Sequence, residues 1–278
     1  MSAETAVRPA AVAGIFYPGT KQQLETDIGE LLGEPPGAAA AGTLIGLIVP
    51  HAGYMYSGAT AAKAYALVQG RTFDACILVG PSHQEYFQGV SVYPGRAYAT
   101  PLGQALVATG LRDALLAASP VVRASVQGHR GEHSLEVQIP FLQSVLPSAA
   151  ILPVVMGDQR AENCFALGDA LAVAAGGRNV LLIASSDLSH FHSSPVARKK
   201  DAAVIALIER YNVRALMDGL DDEACEACGG GPIVAVMTAA RHLGADRATI
   251  VDARNSGDVT GETGRVVGYC SAALWKNS

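Results

Sequence analysis

Three histidines in this sequence follow short apolar runs. Leu44 to Val49 leads into Pro50-His51-Ala52-Gly53-Tyr54, and Phe73 to Val79 leads into Gly80-Pro81-Ser82-His83. Val180 to Ala184 leads into Ser185-Ser186-Asp187-Leu188-Ser189-His190. In open α/β sheets ligands bind beyond the carboxyl ends of the strands, so these residues would converge on one crevice. Imidazoles gathered in this way suit metal ligation or proton transfer near neutral pH. A fourth segment, Cys225-Glu226-Ala227-Cys228-Gly229-Gly230-Gly231-Pro232, places Cys228 just ahead of a helix start marked by Pro232. A helix N-terminus favours a thiolate, the form of cysteine that binds metals. In Gly131-Glu132-His133-Ser134-Leu135-Glu136, His133 and Glu136 stand three apart and would share a helix face.

Each feature also has a plainer reading. One histidine after one strand commonly serves structure, and it is their number that points to a site. The Cys225 to Cys228 spacing would suit a redox pair or half a zinc site. Cys76 and Cys270 fall in strand candidates and Cys164 in a helix, as core cysteines do. His242, late in a helix beside Arg241, reads as a partner of the helix dipole. No G-x-S-x-G elbow accompanies Ser185-Ser186, and the glycine-rich stretch lacks the G-K-[ST] of a phosphate loop.

The elements that must hold these residues alternate. Ala11 to Gly19 reads as an extended segment closed by Pro18-Gly19. Thr20 and Gln23 form a capping-box pattern ahead of a helix to Leu32. Glu34 to Gly42 reads as a flexible connection. Strands are expected at Leu44–Val49, Phe73–Val79, Ser91–Tyr93, Ala150–Val155, Val180–Ala184, Ala248–Val251 and Arg265–Ala273. Helices are expected at Ala59–Val68, Gln104–Ala118, Ser134–Val145, Asn163–Ala175, Val196–Tyr211 and Pro232–Leu243. Short apolar runs between helices predict a largely parallel or mixed sheet covered on both faces. The expected fold is a three-layer α/β/α domain, a single one spanning residues 1–278.

Composition narrows the function. Half the residues are hydrophobic and the formal net charge is -5, so neither disorder nor a nucleic-acid-binding face is expected. Arg198-Lys199-Lys200 reads as a solvated helix face. No apolar run approaches the length of a membrane span. Met1 to Pro9 carries charges with no apolar stretch behind them, so no signal peptide is read. Five scattered cysteines do not form a disulfide framework. A cytoplasmic protein is expected.

The sequence resembles the Memo family, known in bacterial and archaeal genomes as AmmeMemoRadiSam system protein B. The matching segments run in order along nearly the whole chain: Arg8-Pro9-Ala10 to Tyr17-Pro18, Pro50 to Tyr54, Gly80 to His83, Thr100-Pro101-Leu102-Gly103, Glu132 to Gln138, Ser185 to His190, and Cys228-Gly229 to Pro232-Ile233. The resemblance implies a fold similar to class III extradiol dioxygenases of the LigB type, which are non-haem iron enzymes. It implies His51, His83 and Cys228 as metal ligands, with Asp187, His190 and His133 lining the same pocket. His133 or His190 would act as acid or base, and Asp187 would orient one of them. Fe(II) is the implied ion, with Cu or Zn as alternatives.

One departure from the dioxygenase pattern stands out. Ring-cleaving relatives hold Fe(II) with two histidines and a carboxylate. Here the third position is Cys228, softer and itself oxidisable, although Glu136 or Asp187 could sit close. Three functions are compatible with this: a metal-dependent oxidoreductase acting on a small molecule, a protein that handles Fe or Cu or binds a ligand or peptide without turnover, and a zinc hydrolase. The resemblance also implies a radical-SAM protein and an Ammecr-like protein as pathway partners.

Overall fold

The computed structural model describes residues 5–33 and 42–277. The connection expected at Glu34 to Gly42 lies outside the described residues except for Gly42. The strands are β1 Val7–Arg8, β2 Thr43–Val49, β3 Ala75–Pro81, β4 Val90–Val92, β5 Ala97–Thr100, β6 Gly103–Leu106, β7 Val122–Ala124, β8 Ala150–Met156, β9 Val180–Ser185, β10 His190–His192, β11 Arg247–Asn255 and β12 Val266–Lys276. The helices are α1 Lys21–Leu32, α2 Ala59–Ala66, α3 Thr109–Ala118, α4 Ile139–Val145, α5 Ala161–Ala175, α6 Ser194–Glu209, α7 Val213–Asp221, α8 Gly230–His242 and α9 Gly257–Thr260.

The main sheet runs β10-β12-β2-β9-β3-β8-β4-β7, with β11 also paired to β12. Its centre, β2-β9-β3-β8, is parallel. Strand β3 is buried along its whole length, as a strand covered on both faces must be. The flanks are antiparallel where β12 meets β2 and where β4 meets β8. Helices α1, α2 and α4 pack together as one group, and α3, α5, α7 and α8 as another. The result is the expected mixed α/β architecture. The parallel centre matters most here, because β2, β3, β8 and β9 all end on the same side and deliver their outgoing loops to one place. Among the described residues, no helix is long and apolar enough to cross a membrane.

Several local expectations are corrected. The helix expected from Gln104 begins at Thr109, because Gly103 to Leu106 folds back on β5 as an antiparallel hairpin. Gly103, at φ 122°, permits that reversal. The segment Ala11 to Gly19 is not extended. It loops on itself, with Gly14 N–H donating to Tyr17 O at 2.7 Å and Phe16 N–H to Val12 O at 2.9 Å. Thr20 caps α1 without a side-chain bond, and Gln23 bonds Asp27 instead. The helix expected from Ser134 is a short tight turn, Glu136–Gln138, leading into α4. Strand β11 is longer than expected, with a bulge between Ile250 and Asp252. Helix α7 has no counterpart among the expected helices.

Candidate metal centre

The ends of β2, β3 and β9 and the start of α8 bring His51, His83 and Cys228 together. One donor atom from each lies within 4.8 Å of the other two. His51 is buried, and its Nε2 is 3.1 Å from Cys228 Sγ. Two donors held about 2.1 and 2.3 Å from one ion lie about 3.1–3.6 Å apart, so this spacing fits a shared metal.

Hydrogen bonds on the far side of each imidazole set which nitrogen faces inward. Ser185 Oγ donates its single proton to the Ser134 carbonyl at 2.6 Å, so it accepts from His51 Nδ1 at 3.0 Å and from Gln138 Nε2 at 2.9 Å. The His51 proton therefore sits on Nδ1, and the Nε2 lone pair faces Cys228. His83 Nδ1 donates to Glu132 Oε1 at 2.9 Å, which leaves its Nε2 free as a ligand. A carboxylate behind a histidine is the usual support of a metal-binding imidazole.

Comparison with known proteins identifies the family of the chain. The sequence model of the family described as Memo-like protein matches residues 8–273. The chain belongs to the Memo-like family. Its relatives include MEMO1 family proteins of Nitrosopumilus maritimus (35% identical), Methanosarcina mazei (38%) and Aquifex aeolicus (37%). Each alignment covers 95% of this chain and 97–98% of the relative. Among solved structures, an uncharacterised protein of Escherichia coli K12 superposes with a TM-score of 0.57 at 17% identity. The match covers 84% of this chain and all of that one, and it shows the fold alone.

In this Memo-like protein a second group, His83, Glu132 and His133, also has metal-ligand spacing. Glu132 is already committed. Its Oε1 accepts from His83 Nδ1 and from the N–H groups of His133 at 3.0 Å and Ser134 at 2.9 Å, and its Oε2 accepts the His83 N–H at 2.5 Å. Burial pushes its pKa up, yet the His83 contacts and these N–H bonds hold it at about 2. Glu132 is thus the fixed anion that orients the histidines. Replacing it with glutamine is expected to weaken metal binding 10–100-fold. Competitive chelator titration checks this, and wild-type affinity in Glu132→Gln would refute the role.

The Cys228 thiol is pushed up by burial and by the Asp187 carboxylate, against N–H groups including that of Asp187 at 3.3 Å. Cys228 precedes the first turn of α8, as expected. A bound cation would displace the thiol proton.

The remaining expected pocket residues fall around this centre. The His133 ring stacks on His83 at 4.6 Å and lies 5.4 Å from His51. His190 Nδ1 donates to the Leu188 carbonyl at 2.8 Å, which leaves Nε2 as an acceptor. Burial lowers the affinity of His51, His133 and His190 for protons. Asp187, expected to orient His133 or His190, instead accepts the backbone N–H of His51 at 2.7 Å. Burial raises its carboxyl to about 7, against the N–H groups of His51 and Ala52. Glu136 does not approach Cys228. It binds Arg8, the Tyr17 hydroxyl at 2.6 Å, and the N–H groups of Ala11 and Val12.

Sequence reasoning missed Glu132, Ser185, Gln138 and Phe16, whose ring lies 4.8 Å from that of His133. Glu132 had a usable signal, a carboxylate directly before a histidine. The partners of Ser185 and Gln138 exist only in three dimensions. A cavity of about 430 Å³ opens beside Cys228 and His190, lined also by Leu188, Met217, Leu220 and Glu226.

Proposed function

We propose that this protein is a metal-dependent oxidoreductase acting on a small molecule, with non-haem iron held by His51, His83 and Cys228. The observation that carries the reading is the convergence of these three donor atoms, with both imidazoles pre-aimed by Ser185 and Glu132. Bound iron would supply one-electron chemistry and a Lewis acid. The chain's own residues supply the rest. His133 and His190, kept neutral by burial, accept a proton from a substrate hydroxyl, and Nε2 is the accepting atom of His190. Leu188, Met217 and Leu220 give the cavity beside Cys228 an apolar wall against which a substrate would rest. A thiolate in place of a carboxylate favours soft ions, and this supports a second reading, Fe or Cu handling without turnover.

Anaerobic purification with Fe, Cu and Zn measured per chain tests the proposal. Near-stoichiometric iron is expected in the wild type, falling below about a tenth in Cys228→Ser and His51→Ala, since a site deprived of one ligand of three loses most of its affinity. Oxygen uptake with catechol-like substrates should then fall about 10²–10⁴-fold in whichever of His133→Ala and His190→Ala removes the acid/base group. Copper dependent on the same ligands would favour metal handling, and zinc a hydrolase. Metal absent from the wild type, or unchanged in the variants, would overturn the site.

A further inference from the structure

The loop that carries Cys228 is held from outside its own helix. Helix α8 opens on glycines, with Gly229 at the cap, so no side chain of its own satisfies the first free N–H groups. Residues beyond two strands of the sheet, β9 and β8, do so instead. Ser186, after β9, accepts the Gly229 N–H through Oγ at 2.9 Å. Gln159, after β8, accepts the Gly231 N–H through Oε1 at 2.8 Å. The same amide donates from Nε2 to the Cys228 carbonyl at 2.8 Å. Glycine is what permits this approach. A Cβ at Gly229 would lie 2.3 Å from the Ser185 carbonyl oxygen, and one at Gly231 would lie 2.8 Å from Gln159 Cβ.

We propose that Gln159 is a positioning residue for metal binding, its two-armed amide setting where Cys228 Sγ lies relative to His51 Nε2. The inference rests on the reading of His51, His83 and Cys228 as ligands. Gln159 does not itself ligate, because both of its polar atoms are spent on residues 228 and 231. Its two arms can be separated. Gln159→Ala removes both. Gln159→Glu keeps an acceptor for the Gly231 N–H but sets a carboxylate oxygen against the Cys228 carbonyl. A residue that only caps α8 is rescued by glutamate, whereas one that positions Cys228 is not.

The test titrates the full chain, metal-free and anaerobic, with Co²⁺. It reads the dissociation constant and the thiolate-to-cobalt charge-transfer band, with the thermal midpoint of the metal-free protein alongside. Both variants are expected to bind Co²⁺ 10–100-fold more weakly, the usual cost of losing a residue that supports a ligand. The band per bound ion should weaken in both, while Gln159→Glu keeps a midpoint close to wild type. Wild-type affinity and band in Gln159→Glu would overturn the inference, including where Gln159→Ala fails to fold. If the wild type lacks the band, or Cys228→Ser retains it, the ligand reading fails and this inference with it. A band lost in Cys228→Ser but unchanged in both Gln159 variants removes the role of Gln159 alone.

Discussion

Replacing Glu136 with alanine is expected to destabilise the protein by about 3–5 kcal/mol, the cost of stranding one member of a buried ion pair. Arg8 and Glu136 are 3% and 0% exposed and bind each other directly. Without Glu136 the Arg8 guanidinium keeps, among the described residues, the neutral carbonyls of Pro9, His129 and Glu132 and the ring of Tyr98 at 4.6 Å. The Tyr17 hydroxyl and the N–H groups of Ala11 and Val12 lose their acceptor as well. Denaturant unfolding measures the loss, which corresponds to roughly 6–20 °C in Tm for a chain of this size. Glu136→Gln keeps the shape without the charge and should fall between alanine and wild type. A loss below about 1 kcal/mol for Glu136→Ala, the scale of an exposed pair, would show that the network carries no such energy.

The consequence reaches the metal centre. Glu136 anchors the looped segment Ala11 to Gly19, which carries Phe16 onto the His133 ring. The Phe16 carbonyl also accepts the Tyr54 N–H at 2.7 Å, next to the turn after His51. Releasing the anchor therefore frees the ring that packs against His133.

The second large effect is a pH dependence. His129 is fully buried, with Nδ1 2.6 Å from the Tyr98 hydroxyl. Burial, and after it the nearby Arg8, lower its pKa from 6.5 to about 3, although Ser91 and Glu132 pull the other way. The native state is therefore reluctant to take a proton that the unfolded chain binds below pH 6.5. Stability from this group is complete above pH 6.5 and is lost as the pH falls toward 3, where the native state is protonated too. The slope approaches about 1.4 kcal/mol per pH unit, or about 4–5 kcal/mol over the whole window. Unfolding free energies measured from pH 7.5 to 4.5 for wild type and His129→Gln check this. The difference between them should shift by about 1 kcal/mol per unit below 6.5, in favour of the variant as acid increases. Parallel curves would refute it. Comparing the two curves isolates His129 from His51, whose affinity for protons is lowered in the same direction.

Much of the frame was legible in the residues alone. The runs before His51 and His83 and before Ser185 are short, apolar and rich in β-branched side chains, and such runs have few ways to bury both faces except as central parallel strands. Once β2, β3 and β9 are parallel, the loops leaving their carboxyl ends lie at one edge, and so His51 and His83 meet. Local chemistry also located α8 just after Cys228, although the helix starts at Gly230, two residues ahead of the expected Pro232.

The tertiary structure decided the partners. Glu136 shares its sequence neighbourhood with His133, yet it serves Arg8, 128 positions away. Glu132, one residue before His133, aims His83. Asp187 holds a backbone N–H where a ring was expected. Gly103 turned an expected helix start into a hairpin, and burial pushes the Cys228 thiol up where the dipole alone favoured a thiolate. The reason is common to all of these. Hydrophobic pattern follows the local period of the chain, so it can be read along one segment. The direction of a hydrogen bond and the cost of burying a charge depend on which distant groups the fold brings within about 3 Å, and no single segment contains that information.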